Sequence, residues 1–550
     1  MKKMVRQKIE AAVLTLAGSQ AGALSLDQIV IEEPKDPAHG HLATNAALTL
    51  AKALGQKPRA LADQILSSLA DPEGYIEKAE VAGPGFLNLR LSNKWWTRAL
   101  TEIIHAGPTY GQRLPTGRRV QVEYVSANPT GPLHVGHGRG AALGDALARI
   151  LTYAGETVAR EYYINDAGRQ MRILGSSILA RLLELRGESE PFPQDHYQGQ
   201  YIIDLAKELL ASPSPLPTDF WESSQETRTA WLSQWAGARI LAGIKKDLID
   251  FRAVQESWFS ERGLYDQGLV EEALKALRAG GHIYDKDGAL WFRSEPLGDD
   301  KDRVLIKSSG EKTYLAADVA YHQNKLNRGF DLVIDVWGAD HHGYIPRIKA
   351  AVAALGYQKE QLAVVLVQLV NLLRQGQLVS MSTRAGEFVT LREVLDEVGV
   401  DAARFMFLTR SHESALDFDL EVAKAQNRDN PVYYVQYVCA RIFSVIQKSG
   451  LELAAPDLAL LTEPEEIDLI RHLAGFPEVV ETAARRLEPH LLTAWLTNAA
   501  RLFHQYYGRH RLIDETNAPL SKARLALAGA IRQVTAIGLD LLGVSAPERM

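Results

Sequence analysis

The stretch from Arg118 to Asn165 constrains the fold more than any other part of the chain. "RRVQVEYVS" has the β-branched, apolar composition of a strand. "AALGDALARILTYAG" follows with Ala142, Leu143, Ala146, Leu147 and Ile150 on one helical face and Gly155 as its stop. "TVAREYYIN" is then a second strand. Strand, helix and strand with short joins form the βαβ unit of a parallel sheet. Two later segments, "DLVIDVWG" and "LAVVLVQLV", are apolar almost throughout, as strands buried on both faces are. The predicted fold is α/β, a parallel sheet covered by helices.

At 550 residues the chain exceeds a single core and is expected to divide into several domains. Helical periodicity in "LATNAALTLAKAL" and "RALADQILSSLA", then alternation in "GFLNLRLS", predicts an N-terminal α+β domain over 1–112. Its boundary falls in the Gly-, Pro- and Arg-rich "HAGPTYGQRLPTGRR". The α/β domain is expected over 113–400, interrupted at about 185–290 by a mostly helical, charged insertion. Residues 401–550 form a C-terminal domain, helical almost throughout from about residue 430, which reads as an α-helical bundle.

Cys439, the single cysteine, excludes an internal disulfide and a multi-cysteine zinc site. A formal net charge of −6 argues against a protein that coats nucleic acid by bulk charge, while leaving room for a local basic patch. No apolar run is long enough to span a bilayer. The basic, then apolar N-terminus is interrupted by Arg6, Lys8 and Glu10, and Ile9, Val13, Leu14 and Leu16 read as one helix face, so a cytoplasmic location is expected.

Between the first strand and its helix lies "YVSANPTGPLHVGHGRGAALGDALARIL", with His134 and His137 three residues apart among five glycines. An open parallel sheet binds its ligand beyond the carboxyl ends of its strands, beside a helix N-terminus that attracts anions. Gly136, Gly138 and Gly140 miss the dinucleotide-binding spacing, because the third comes one residue early. A hydride-transfer enzyme has no use for the two imidazoles. An imidazole can instead donate to a phosphate oxygen as negative charge develops on it. The bland reading, two capping or packing histidines, stands beside this one.

"LHVGHGRG" resembles the HIGH signature of class I aminoacyl-tRNA synthetases, with Val135 in place of isoleucine. Together with "VEYVSANPTGP", "EYYINDAGRQM", "YLAADVAYH", "WGADHHGY", "MSTRAGEFVTL", "VDAARFMFL" and "DNPVYYVQYVCAR", it resembles the arginyl-tRNA synthetases, bacterial type, over nearly the whole chain. The resemblance implies a Rossmann-like catalytic domain that uses ATP with Mg²⁺ as substrate complex, L-arginine and tRNA(Arg), with no protein-bound metal. A monomer is expected. Activation would wait on bound tRNA. His134 and His137 would be the catalytic pair, and Pro129, Gly136, Gly138, Arg139, His341, Met381, Ser382 and Arg384 would contact ATP.

A guanidinium cannot lose its proton and presents a planar fork of donors that carboxylates match. The resemblance places Glu123, Ser126 and Asn128 on one side of the arginine and Tyr314 and Asp318 on the other, with Asp318 favoured for the guanidinium. A KMSKS-like loop at Met381, Ser382, Thr383 and Arg384 has no lysine at either expected position, and Thr130-Gly131-Pro132 stands where some relatives place a compensating one. Arg384 and Arg139 are the candidate cations for the pyrophosphate. Asp340, His341 and His342 also resemble the DHH signature of metal-dependent phosphoesterases, but the further aspartates of such a site are missing from the first βαβ unit. A tRNA-independent nucleotidyltransferase is the other rival, and it leaves the terminal domains without a purpose.

For tRNA, the resemblance offers Phe86 and Asn88 to the D-loop, with strand packing the alternative for Phe86. It offers Tyr434, Tyr437 and Arg441 to the anticodon region, opened by the DALR-like "VDAARF". "RLFHQYYGRHRL" interleaves aromatics with Arg501, Arg509 and Arg511, a pattern suited to stacking splayed bases, although aromatics at helical spacing commonly form a bundle core.

Overall fold

The computed structural model describes residues 1–188, 192–211, 213–379, 388–452 and 454–550. An antiparallel sheet organises the N-terminal part. Its strands are β1 (Ile31–Glu32), β2 (Leu42–Thr44), β3 (Ile76–Ala82) and β4 (Phe86–Leu91), in the order β1-β2-β4-β3. Leu87, Leu89 and Leu91 are buried there, as their alternation predicts.

Five parallel strands form the central sheet: β5 (Arg119–Glu123), β6 (Thr157–Ile164), β7 (Ser257–Ser260), then, beyond a second antiparallel sheet, β11 (Leu332–Gly338) and β12 (Leu362–Val367). Their order is β12-β11-β5-β6-β7. The chain builds outward from β5 through β6 to β7, then returns to place β11 and β12 on the other side. The topological switch therefore lies between β5 and β11, where a doubly wound sheet opens its ligand crevice. The helix Val135–Tyr153 crosses from β5 to β6 with Ala142, Ala146, Leu147 and Ile150 wholly buried.

The expected helical insertion is shorter than 185–290. Helices Gln200–Leu210 and Gln225–Asp250 form it, but "SWFS" is β7, paired in parallel with β6. Only four residues long and half-buried, β7 lacks the apolar run that marks an interior strand. The second antiparallel sheet, β8 (Ile283–Lys286), β9 (Ala289–Phe292) and β10 (Arg303–Ile306), follows it.

Residues past 400 do not pass straight into the bundle. A small sheet joins β13 (Val370–Arg374) to β14 (Gln377–Leu378) and, in parallel, to β15 (Leu416–Asp419). The chain thus returns to the α/β body before the bundle helices Pro431–Ser449, His490–Arg509 and Ala518–Leu541 pack together.

Arg404, the arginine of "VDAARF", joins these parts. It is 0 % exposed, and its guanidinium donates to Leu542 O at 2.9 Å, Phe251 O at 2.8 Å and Asp145 Oδ2 at 2.6 Å. The bundle end, the insertion end and the 135–153 helix meet on one side chain. Arg404→Met leaves buried acceptors unmet and is expected to cost about 3–5 kcal/mol, read as a lowered urea midpoint.

Candidate active site

A cavity of about 1130 Å³ opens at the switch point, beyond the ends of β5 and β11. Ser126, Asn128, His134, Gly136, His137, Gly140 and His341 line it, and so does Phe388, whose ring meets His134 edge-on at 6.2 Å. The sequence motifs after β5 and after β11 therefore converge on one space.

The two histidines build the helix start. His134 is the N-cap, and its Nδ1 accepts from the Gly136 N–H at 3.1 Å. His137 Nδ1 accepts in turn from the His134 N–H at 3.2 Å, so each imidazole satisfies an otherwise orphaned amide. The rings stack with centroids 3.7 Å apart. With Nδ1 accepting, each neutral ring carries its proton on Nε2. Burial lowers the pKa of His134, and burial followed by the neighbouring imidazole pushes His137 down to about 3. Both are therefore neutral donors. The capping and functional readings of the pair are complementary: the cap fixes the tautomer that presents Nε2–H.

Several expected contacts lie elsewhere. Arg139 is 1 % exposed and turned away, its guanidinium donating to Gln368 O, Ser414 O and Ser411 O, each at 2.9 Å. That corrects its reading as a cation for pyrophosphate, because three carbonyls already occupy it. Gly138 also faces away: a Cβ there would meet Leu391 Cδ1 at 2.7 Å, so its bareness serves helix packing. Pro129 is buried and does not line the cavity. Met381, Ser382, Thr383 and Arg384 lie outside the described residues.

Glu123 requires another correction. It is 6 % exposed, one carboxylate oxygen accepts from Lys325 Nζ, and the other accepts from Ser126 Oγ at 2.7 Å. It is an internally paired group and not an open guanidinium ligand. Register explains why. Glu123 lies opposite Asp335 on β11 and opposite Glu161 on β6, so three carboxylates share one level of the sheet. Lys325 also reaches Asp335 at 2.6 Å, and Arg328 holds Glu161 through two bonds of 2.6 and 2.8 Å. Both cations come from the helix Tyr314–Asn327 and the residue after it.

Asp318, on the same helix, has no cation in direct contact among the described residues. Its side chain accepts from the Tyr344 hydroxyl, and burial raises its pKa. Close by stands Glu261, 4 % exposed at the end of β7 and pushed up to about 7 by burial and then by the charge of Asp318. Tyr163, which lines the cavity, stands beside Glu261. Two carboxylates, Glu261 buried and Asp318 half-buried, that oppose each other's ionisation make a seat for a cation. Sequence reading missed Glu261 because it assigned β7 to the insertion; the usable signal is a carboxylate immediately after a parallel strand. Tyr314, one turn before Asp318, is 60 % exposed. Because Glu261 titrates near 7, kcat/KM for a cationic substrate should fall as pH drops below 7, while kcat at saturation stays level. Glu261→Gln should remove that dependence.

At the "ADHHGY" loop, Asp340 and His341 are exposed, their side chains 83 % and 59 % open. Among the described residues, three metal-type ligands converge at Glu463, Glu465 and His510, away from this loop. The phosphoesterase reading finds no support there.

In the bundle, Val435, Val438, Cys439 and Ile442 make the core of the 431–449 helix, while Tyr434 and Tyr437 sit on an open side against His504 at 4.5 and 5.8 Å. Arg441 lies over the Tyr507 ring at 4.9 Å. Phe503 and Tyr506 of the next aromatic run are instead 0 % exposed and belong to the core. Phe86 is half-buried at the start of β4, whereas Asn88 is only 6 % exposed between β2 and β3, which covers the amide expected to read a base.

A mononucleotide-type sheet with paired imidazoles at the helix after its first strand is the arrangement of a class I synthetase catalytic domain, and the comparisons agree. Residues 99–197 and 243–426 match the tRNA synthetases class I (R) catalytic domain, 1–91 the arginyl tRNA synthetase N terminal domain, and 435–550 the DALR anticodon binding domain. The chain is 50 % identical over 562 residues to an arginine–tRNA ligase of Desulfosudis oleivorans, covering all of both chains, and 51 % identical over 528 residues to one of Desulfovibrio desulfuricans, covering 95 % of each. The Thermus thermophilus arginyl-tRNA synthetase structure superposes with a TM-score of 0.79 at 25 % identity, over 100 % of both chains. The Plasmodium falciparum one shares the fold, with a TM-score of 0.74 at 17 % identity over 100 % of this chain and 99 % of that one. The chain belongs to the arginyl-tRNA synthetases.

Proposed function

We infer that the protein joins L-arginine to tRNA in two steps. An arginine carboxylate oxygen attacks the α-phosphorus of ATP, the bond to the β-phosphate breaks, and pyrophosphate leaves. The terminal ribose hydroxyl of tRNA(Arg) then attacks the arginyl carbonyl carbon, and AMP leaves. The observation that carries the substrate assignment is the pair Asp318 and Glu261, without a cation in direct contact among the described residues and beside Tyr163 of the cavity that His134 and His137 also line. A guanidinium between those carboxylates relieves their repulsion, and Tyr314 covers it. His134 and His137 donate to the α-phosphate as charge builds there, aided by the helix N-terminus. Asn128 holds the α-amino end, while the Ser126 hydroxyl is turned to Glu123 and to the Tyr163 N–H, and His341 meets the adenosine.

Among the described residues that line the cavity, none is lysine or arginine. With Arg139 occupied elsewhere, Arg384 is the cation we assign to the pyrophosphate, alongside the Mg²⁺ that ATP brings. The aromatic and cationic face of Tyr437, which is exposed, with the half-buried Tyr434, His504, Tyr507 and Arg441 suits stacking of anticodon bases, and Phe86 suits the D-loop. Tyr437→Ala or Arg441→Ala should raise the KM for tRNA about tenfold and leave kcat within about twofold in aminoacylation assays.

ATP–pyrophosphate exchange tests the assignment, run with arginine and separately with lysine, each with and without bulk tRNA. Exchange with arginine and tRNA together supports both the substrate and the coupling to tRNA. Exchange with arginine alone removes the coupling, and exchange driven by lysine overturns the pocket.

A further inference from the structure

Immediately after β5 the backbone enters the left-handed region at two successive residues that are not glycine, Val125 at φ 73° and Ser126 at φ 43°. For β-branched valine this conformation is a true outlier, held only where surrounding structure over-determines it. The turn is also part of the cavity wall: Val125, Ser126, Ala127 and Asn128 all line it.

What holds the turn can be followed atom by atom. Ser126 Oγ donates to Glu123 at 2.7 Å and accepts from the Tyr163 N–H at 3.1 Å. Glu123 is anchored from behind by Lys325, which is 0 % exposed, bonded also to Asp335 at 2.6 Å and seated over the Tyr321 ring at 4.3 Å. Charge balance at the carboxylate row explains why a cation is there, but not why Glu123 turns its second oxygen to the strained turn. We propose that Lys325 is a positioning residue for the reaction: acting through Glu123 and Ser126, it holds the left-handed Val125–Ser126 turn that shapes the wall of the arginine and ATP cavity.

The proposal rests on the cavity being the arginine and ATP site, and wild-type exchange with arginine checks that separately. Lys325→Met in the full-length protein keeps the length and apolar stem but releases Glu123. The KM for arginine is expected to rise by about tenfold or more in exchange assays, with a smaller change for ATP. If Lys325 only balances charge, Lys325→Met lowers the melting temperature and the yield while the folded enzyme keeps its KM for arginine, and that result overturns the proposal. Should Lys325→Met not fold, Ser126→Ala leaves the buried ion cluster intact and should give the same rise in KM at a near-native melting temperature; an unchanged KM overturns the proposal equally. Rescue separates strain from other causes. Val125→Gly adopts the left-handed turn without penalty, so Lys325→Met/Val125→Gly should recover most of the lost affinity for arginine. A double variant no better than Lys325→Met rules out the turn as the element on which Lys325 acts.

Discussion

Asp318→Asn should reduce kcat/KM for arginine by about 10³–10⁴-fold while the KM for ATP stays within about twofold, as read from ATP–pyrophosphate exchange. The substitution keeps the size of the side chain and an oxygen for the Tyr344 hydroxyl, so the fold around it is preserved. What it removes is a charge with no protein cation in direct contact among the described residues, in a partly desolvated site where a charged partner contributes more than it does at the surface. By contrast, Glu261→Gln should cost less at neutral pH, since Glu261 titrates near 7 and is part-neutral before arginine arrives. The ordering of the two is therefore part of the prediction. If Asp318→Asn costs less than tenfold, the guanidinium lies elsewhere and the pocket assignment fails.

The second large effect is expected at His137. His137→Ala should lower kcat by about 10²–10³-fold with little change in the KM for arginine, because a donor aimed at developing phosphate charge acts mainly in the transition state. The same substitution strips the cap from the His134 N–H, at about 1 kcal/mol of stability. His137→Asn offers an oxygen to that amide, so it should recover the stability but not the rate. Acid should leave the donor role of His137 intact through the usual imidazole range, since His137 keeps its neutral form down to about 3. The unfolded chain takes up that proton near the ordinary histidine value, so the stability that His137 contributes is present above about 6.5 and is lost as pH falls below it.

Much of this site was legible in sequence because its information is local. A strand, a glycine-rich join and a helix within "RRVQVEYVSANPTGPLHVGHGRGAALGDALARIL" already put His134 and His137 at a helix start. The Tyr434, Tyr437 and Arg441 spacing placed all three on one helix, and the structure leaves the tyrosines beside His504 on its open side. Less legible was the edge strand β7, short and without an apolar run, and with it Glu261.

The sequence alone determined the parallel α/β core, the helix-starting histidines and the family, because β-strand patterning, capping and motif order are written in neighbouring residues. Tertiary structure alone decided which charged groups are free to act. Glu123 and Lys325 are 202 positions apart, and Arg139 and the carbonyl of Ser414 are 275 apart. A carboxylate or guanidinium looks the same in sequence whether it faces a ligand or a buried partner; what distinguishes them is the desolvated pairing that only strand register and helix packing create.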